Sequence, residues 1–344
     1  MEYNIDLKEG LNSIEVFDGR EFIYRFTPAT FSKGAPLLII FSARGTRVPS
    51  KFSRIDWNVL SVVDTFGLEG DMTAYLGEGG NFFIKDLLYA LIQVAIHKCV
   101  CKPRENLFMF ASSIASGGAI IQGILSQARA VYLNSPIIRG HGSTIYKSKY
   151  RDYDKAVDYV IPPFMKNIIE ADGVRFLKAY RHKKIPAFFL CDSMHQSEPW
   201  LQNFLQEQTL YFVNACKEEG IEVHLELVDT EGHKHHHTLQ EVIELFEKHT
   251  PPKYLDIMKI DAFIENHTLK VNCILGDDYP KTGNELFAFY LMYKGDRVQV
   301  SKYQKEAEAI FILEEEMDLE QVEIKGFVKD EAGSKIQKKV GILV

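Results

Sequence analysis

The chain has 344 residues, 46% of them hydrophobic and 25% charged, enough to bury a large core and to divide into two domains. Its net charge of −7 argues against a general nucleic-acid binder. The most apolar helical stretch, residues 87–101, is broken by Gln93, His97 and Lys98 and does not span a membrane. The opening, Met-Glu-Tyr-Asn-Ile-Asp, has neither a basic start nor an apolar run, and the five cysteines at 99, 101, 191, 216 and 273 follow no disulfide pattern. A cytoplasmic protein with reduced core cysteines is therefore expected.

In chain order, residues 13–17 and 21–27 read as strands, and 35–41 (APLLIIF) as a third. The loop Ser42-Ala43-Arg44-Gly45-Thr46-Arg47 follows it. Residues 58–64 form a fourth predicted strand and residues 83–98 a helix. The stretch LFMFASSIASGGAIIQG, residues 107–123, is an apolar strand that breaks into small residues and restarts as a helix. Ser113 stands at the break, with Ala111 and Ala115 two positions to either side. This is the small-x-Ser-x-small form of a nucleophile elbow, in which a serine is held on a sharp strand-to-helix turn. Bulky neighbours would collide there, and the new helix aims its N-terminal amides at an oxyanion forming beside the serine. Gly117 and Gly118 fit a first turn packed closely on a sheet. Ser112 and Ser116 are rival serines, Ser116 the weaker because Ile114 is too large for the crowded position before it. A plain helix N-cap is the other reading of such a turn.

Residues 130–133 read as the next strand, then residues 134–184 as an insertion. It contains RGHGSTIYKSKYRDYDK, in which Arg139, Lys147, Lys149, Arg151 and Lys155 are interleaved with Tyr146, Tyr150 and Tyr153. Tyrosines with cations suit stacking on sugar rings and pairing with phosphate or carboxylate; an ordinary solvated face is the alternative. Residues 185–191 form a buried strand that Asp192 follows directly, residues 196–219 a helix, and residues 221–228 an alternating strand. The last strand runs into Asp229-Thr-Glu-Gly-His-Lys-His-His-His237. Such a loop could bind zinc through neutral imidazoles, but no second cluster with ligand spacing accompanies it. Neither a metal nor a cofactor is expected.

The order Ser113, Asp192, His233, spaced by 79 and 41 residues, is that of α/β-type serine hydrolases, each residue following a sheet strand. Over roughly residues 10–250 the chain resembles the α/β-hydrolase superfamily. That resemblance makes Ser113 the nucleophile, His233 the base and Asp192 the residue that orients it, with Glu198 as the other candidate acid. It also implies backbone amides of Ala43 or Arg44, with that of Ile114, as oxyanion donors, although the usual His-Gly-Gly is replaced by Ser-Ala-Arg-Gly. Residues 134–184 would then be a cap over the nucleophile, with Arg139, Lys147 and Arg151 as substrate-binding cations.

A boundary falls near Thr250-Pro-Pro-Lys253, after a predicted helix over residues 240–249, dividing the chain into residues 1–250 and 251–344. Seven short strands follow, at 257–264, 268–274, 286–293, 297–303, 309–313, 321–330 and 335–343. With turns at Lys294-Gly-Asp296 and Glu331-Ala-Gly333, they suggest an immunoglobulin-like sandwich. The layout and short motifs are similar to two bacterial groups: accessory Sec system glycan O-acetyltransferases and capsular polysaccharide biosynthesis proteins. That similarity implies an acyl-ester enzyme, esterase or O-acetyltransferase, acting on a surface glycan with an acyl donor and glycan-assembly partners. The rival from another class is a non-catalytic hydrolase-fold scaffold in a glycan or secretion complex.

Overall fold

The computed structural model describes residues 5–16, 18–29, 35–70, 72–99, 101–148, 152–195, 203–232, 236–252, 258–276, 283–329 and 335–341. His233, Glu198 and Arg151 lie outside these residues. Two compact units emerge: Met1–Pro28 with Pro36–Lys253, and Ala29–Ala35 with Tyr254–Val344.

The larger unit is built on one eight-stranded sheet of order β1-β2-β4-β3-β5-β6-β7-β8. Its strands are β1 (Gly10–Glu15), β2 (Glu21–Thr27), β3 (Leu37–Phe41), β4 (Asn58–Val63), β5 (Leu107–Ser112), β6 (Ala130–Asn134), β7 (Ala187–His195) and β8 (Val223–Glu231). β1, β2 and β4 pair antiparallel, and the pairs from β4–β3 to β7–β8 are parallel. The central strands are apolar on both faces because helices cover both. Leu37, Ile39 and Phe41 point with Leu107, Met109 and Ala111 toward a core shared with α1 (Phe83–Lys98), α3 (Ala115–Leu125), α6 (Gly173–Ala179) and α7 (Tyr211–Glu218). Leu38, Ile40, Phe108 and Phe110 point the other way, onto α8 (Leu239–His249). The remaining α-helices among the described residues are the single turn α2 (Pro103–Asn106) and, in the segment between β6 and β7, α4 (Thr144–Ser148) and α5 (Tyr153–Val160).

Two expected boundaries move for physical reasons. β7 does not stop at Cys191: it continues to His195, and Asp192 pairs with Leu227 inside the strand. A carboxylate is tolerated there because its oxygens are already bonded. α8 begins one residue early, at Leu239, because Thr238 and Glu241 close a reciprocal capping box.

The segment over α3 is tied to the opposite wall by backbone. The amides of Gly79 and Gly80 donate to the carbonyls of Tyr159 (2.8 Å) and Val160 (2.9 Å) at the end of α5. Lys85 on α1 pairs with Glu170 at 2.9 Å. The five cysteines are buried and free, and no helix of the described residues is long and apolar enough to cross a membrane.

The smaller unit has two antiparallel sheets. β9 (Met258–Glu265), β10 (Thr268–Leu275) and β13 (Glu308–Ile312) form one, in the order β13-β10-β9. β11 (Leu286–Tyr293), β12 (Asp296–Gln304), β14 (Val322–Lys329) and β15 (Lys335–Gly341) form the other, in the order β12-β11-β14-β15. First, second and fifth strands against third, fourth, sixth and seventh is the immunoglobulin-like arrangement. Ile260, Leu269, Val271 and Phe311 meet Phe289, Leu291, Val322 and Ile324 in one core between the sheets. Lys294 and Gly295 both take positive φ, 52° and 89°, as the tight turn between β11 and β12 demands.

Candidate active site

Strand β5 ends at Ser112 and α3 starts at Ala115, so the reversal falls on Ser113 and Ile114. Ser113 has φ 54°, a left-handed conformation that a non-glycine residue keeps only when its surroundings over-determine it. Three bonds do so. The Ser113 amide donates to the Asn134 carbonyl at 3.0 Å, and the Ser113 carbonyl accepts from the amides of Ser116 (3.1 Å) and Ile137 (3.0 Å). Ser113 remains partly exposed, whereas Ser112 and Ser116 are buried with hydroxyls that make no hydrogen bond to any described residue.

The two glycines after the elbow do different work. A Cβ on Gly118 would stand 2.7 Å from the Ala74 carbonyl oxygen and 2.8 Å from Tyr75 Cβ, so the helix is pressed against that segment. A Cβ on Gly117 would have the Ile137 oxygen, at 4.0 Å, as its nearest neighbour. We therefore expect Gly117→Ala to raise stability by about 0.5–1 kcal/mol through helix propensity. Gly118→Ala should cost about 1–3 kcal/mol through overpacking. Unfolding midpoints of the two variants should move in opposite directions; equal shifts would contradict the close approach at Gly118.

The register of β3 with β5 pairs Ile40 with Phe110, so Ala43 and Ser113 each stand three residues beyond a matched pair. Neither the Ala43 nor the Ile114 amide donates to the backbone of a described residue, so both stay available to an oxyanion. The loop carrying Ala43 is held from beneath: the Tyr75 hydroxyl donates to the carbonyls of Ser42 (3.1 Å) and Val62 (3.0 Å). Tyr75 is positioned by Asp64, which is buried and accepts from the amides of Phe66, Thr73 and Tyr75 and from the Thr73 hydroxyl. Burial pushes the Asp64 carboxyl up, against the opposing pull of these donors.

On the other side of the elbow, Asn134 joins Ser113 to the loop after β8. Its carbonyl takes the Ser113 amide, and its Oδ1 accepts the His236 amide at 3.0 Å. His236 Nε2 lies 3.4 Å from Ser135 Oγ and 3.3 Å from Ser193 Oγ. Ser42, Ala43, Thr46, Ser112, His236 and His237 line one open cleft. The loop after β3, the end of β5 and the loop after β8 therefore converge.

Asp192 is 1% exposed. Its Oδ1 accepts from the Ser193 amide at 2.9 Å and its Oδ2 from the Thr209 hydroxyl at 2.6 Å. Burial pushes its carboxyl up, while Thr209, Ser193 and Ser135 pull it down. No hydrogen bond is shown from Asp192 to a described histidine. Of the proposed substrate-binding cations, Lys147 is exposed, whereas Arg139 is half-buried with its guanidinium 4.7 Å over the Tyr211 ring. Arg139 thus belongs to an interior wall and not to a surface patch with Lys147.

The best-assembled donor set for a metal is Cys191, Glu226 and His237, with ligand atoms within 4.8 Å of one another. His237 Nδ1 meets the Tyr132 hydroxyl at 2.7 Å and its Nε2 lies 3.5 Å from Glu226 Oε2, and burial pushes the Cys191 thiol up to about 12.

Pattern reading missed Asn134, Asp64 and Tyr75, and left His236 as one of several loop histidines. Asn134 had a signal, since it ends the parallel strand beside the elbow, where open α/β sheets place their sites.

No protein-family model and no curated protein matches the chain. Among solved structures, an acylaminoacyl peptidase superposes with a TM-score of 0.51 at 14% identity, over 71% of this chain and 42% of that one. The capsule O-acetyltransferase of Neisseria meningitidis serogroup A follows at 0.49 and 13% identity, over 72% of this chain and 95% of the other. Staphylococcus aureus fluorophosphonate-binding serine hydrolase F gives 0.48 at 12%, over 69% and 94%.

Proposed function

We propose that this chain, whose larger unit has the α/β-hydrolase fold, is a serine-dependent acyl-ester enzyme, an esterase or O-acetyltransferase. The observation that carries the reading is Ser113: a partly exposed serine in a left-handed conformation at a strand-to-helix junction, beside an Ile114 amide that donates to the backbone of no described residue. Ser113 Oγ adds to the ester carbonyl carbon as a histidine of the loop after β8 takes its proton. The Ile114 amide, with that of Ala43 or Arg44, stabilises the oxyanion. The carbon–oxygen bond to the alcohol then breaks, and the histidine returns the proton to the leaving oxygen. Water, or a sugar hydroxyl, repeats the attack on the acyl-serine and frees the enzyme.

His233 is the base in this reading and Asp192 its orienting acid. A second assignment is favoured by one observation, that His236 is tied to Asn134, Ser135 and Ser193. Glutamine at each position separates them. His233→Gln is expected to lower kcat on p-nitrophenyl acetate by roughly a thousandfold or more, because the proton has no acceptor. If that loss appears in His236→Gln alone, the base is His236. A bacterial surface glycan or capsular polysaccharide fits as the natural acyl carrier, the exposed Lys147 offering charge to an anionic polymer. A non-catalytic scaffold would leave both variants indistinguishable from a parent with no turnover.

A further inference from the structure

A second space, sharing no lining residue with the cleft, borders the elbow. Its walls are Met72, Ala74 and Leu76 from the loop after β4, Ile114, Gly117 and Ile121 from the elbow and α3, and Ile137 and Ile138 after β6. Tyr153, Val157 and Val160 of α5 line it as well. Of the polar side chains in the wall, Arg139 lies over the Tyr211 ring with a buried Nε that bonds no described residue, and Thr73, His141 and Glu170 are engaged elsewhere. Thr73 bonds Asp64, His141 Nε2 meets the Ile161 carbonyl at 2.8 Å, and Glu170 pairs with Lys85. A cavity so lined favours an apolar guest over water.

In the chain, Ser113 stands between Ser112, which lines the cleft, and Ile114, which lines the cavity. An ester bound at Ser113 therefore has two different directions in which to place its two halves. The more open cleft suits the alcohol, and the more apolar cavity suits the acyl chain. We propose that the cavity is an acyl-chain pocket selecting a straight chain longer than acetyl, with Gly117 setting the length; this rests on the reading of Ser113 as nucleophile.

Gly117 is the position at which the wall can be filled without disturbing the backbone, since a Cβ there meets nothing nearer than 4.0 Å. The test uses p-nitrophenyl esters from acetate to decanoate with wild type and Gly117→Leu, and calorimetric titration of hexanamide against acetamide. In wild type, kcat/KM should rise about fourfold per methylene, up to about hexanoate, and fall at decanoate. Gly117→Leu should lower the hexanoate-to-acetate ratio at least tenfold and weaken hexanamide binding in proportion, with an unfolding midpoint no lower than wild type. Two results overturn the proposal. One is a chain-length maximum at acetate in a protein whose Ser113 labels with fluorophosphonate. The other, in a protein that neither labels nor turns over, is hexanamide binding that does not differ between wild type and Gly117→Leu. The titration needs no active serine, so failure of the nucleophile reading leaves the pocket separately decided.

Discussion

Ser113→Ala is expected to abolish covalent labelling by a fluorophosphonate probe and to reduce ester turnover by three orders of magnitude or more. The size of the effect follows from the position of the hydroxyl. Ser113 is the serine of the elbow that the left-handed turn exposes, while Ser112 and Ser116 are 2% and 0% exposed. An acyl group cannot reach a hydroxyl enclosed by the core. Ser112→Ala and Ser116→Ala should therefore keep the label. Intact-mass spectrometry after probe treatment reads all three variants. Retention of the label in Ser113→Ala, or its loss in Ser116→Ala, would move the nucleophile.

The largest loss of stability is expected at Asp64. Its carboxylate takes three backbone amides and one hydroxyl, three of those bonds at 2.8 Å. The loop it organises contains four non-glycine residues in left-handed conformations: Glu69, Met72, Ala74 and Tyr75. Each costs free energy that only a surrounding network offsets. Asp64→Ala leaves buried donors unpaired and should lower stability by about 3–5 kcal/mol. Asp64→Asn keeps one acceptor oxygen and should lose less. Denaturant midpoints give the magnitude, and faster amide exchange at Thr73 and Tyr75 locates it. A change under about 1 kcal/mol in Asp64→Ala would mean that the loop is held by the Tyr75 hydroxyl alone.

The layered sheet was legible because its strands are apolar runs separated by helices of the correct period. The expected bounds of β2, β11 and α1 coincide with those observed. The elbow was legible for a related reason: an apolar strand collapsing into Ala, Ser and Gly has few other physical explanations. What pattern could not reach was long-range pairing. Asp64 reads as the polar end of a strand until its four donors, two to eleven residues away, are seen converging on it. Asp192 reads as the first residue of a loop because nothing local announces the Thr209 hydroxyl, seventeen residues on, that satisfies it within β7. Among the crowded histidines, alternation and spacing carry no information, since a loop has no period. Arg139 looked like one member of a charged surface run, and its stacking on Tyr211 depends on a helix more than sixty residues later.

The backbone bonds from Gly79 and Gly80 to the end of α5 have a kinetic meaning. They join the two walls between which the apolar cavity lies, and the Lys85–Glu170 pair braces the same seam. If the cavity takes a guest larger than its resting aperture, that guest would wait for the seam to part. Its arrival would then be a first-order event belonging to the protein, with a ceiling that no concentration of guest can raise.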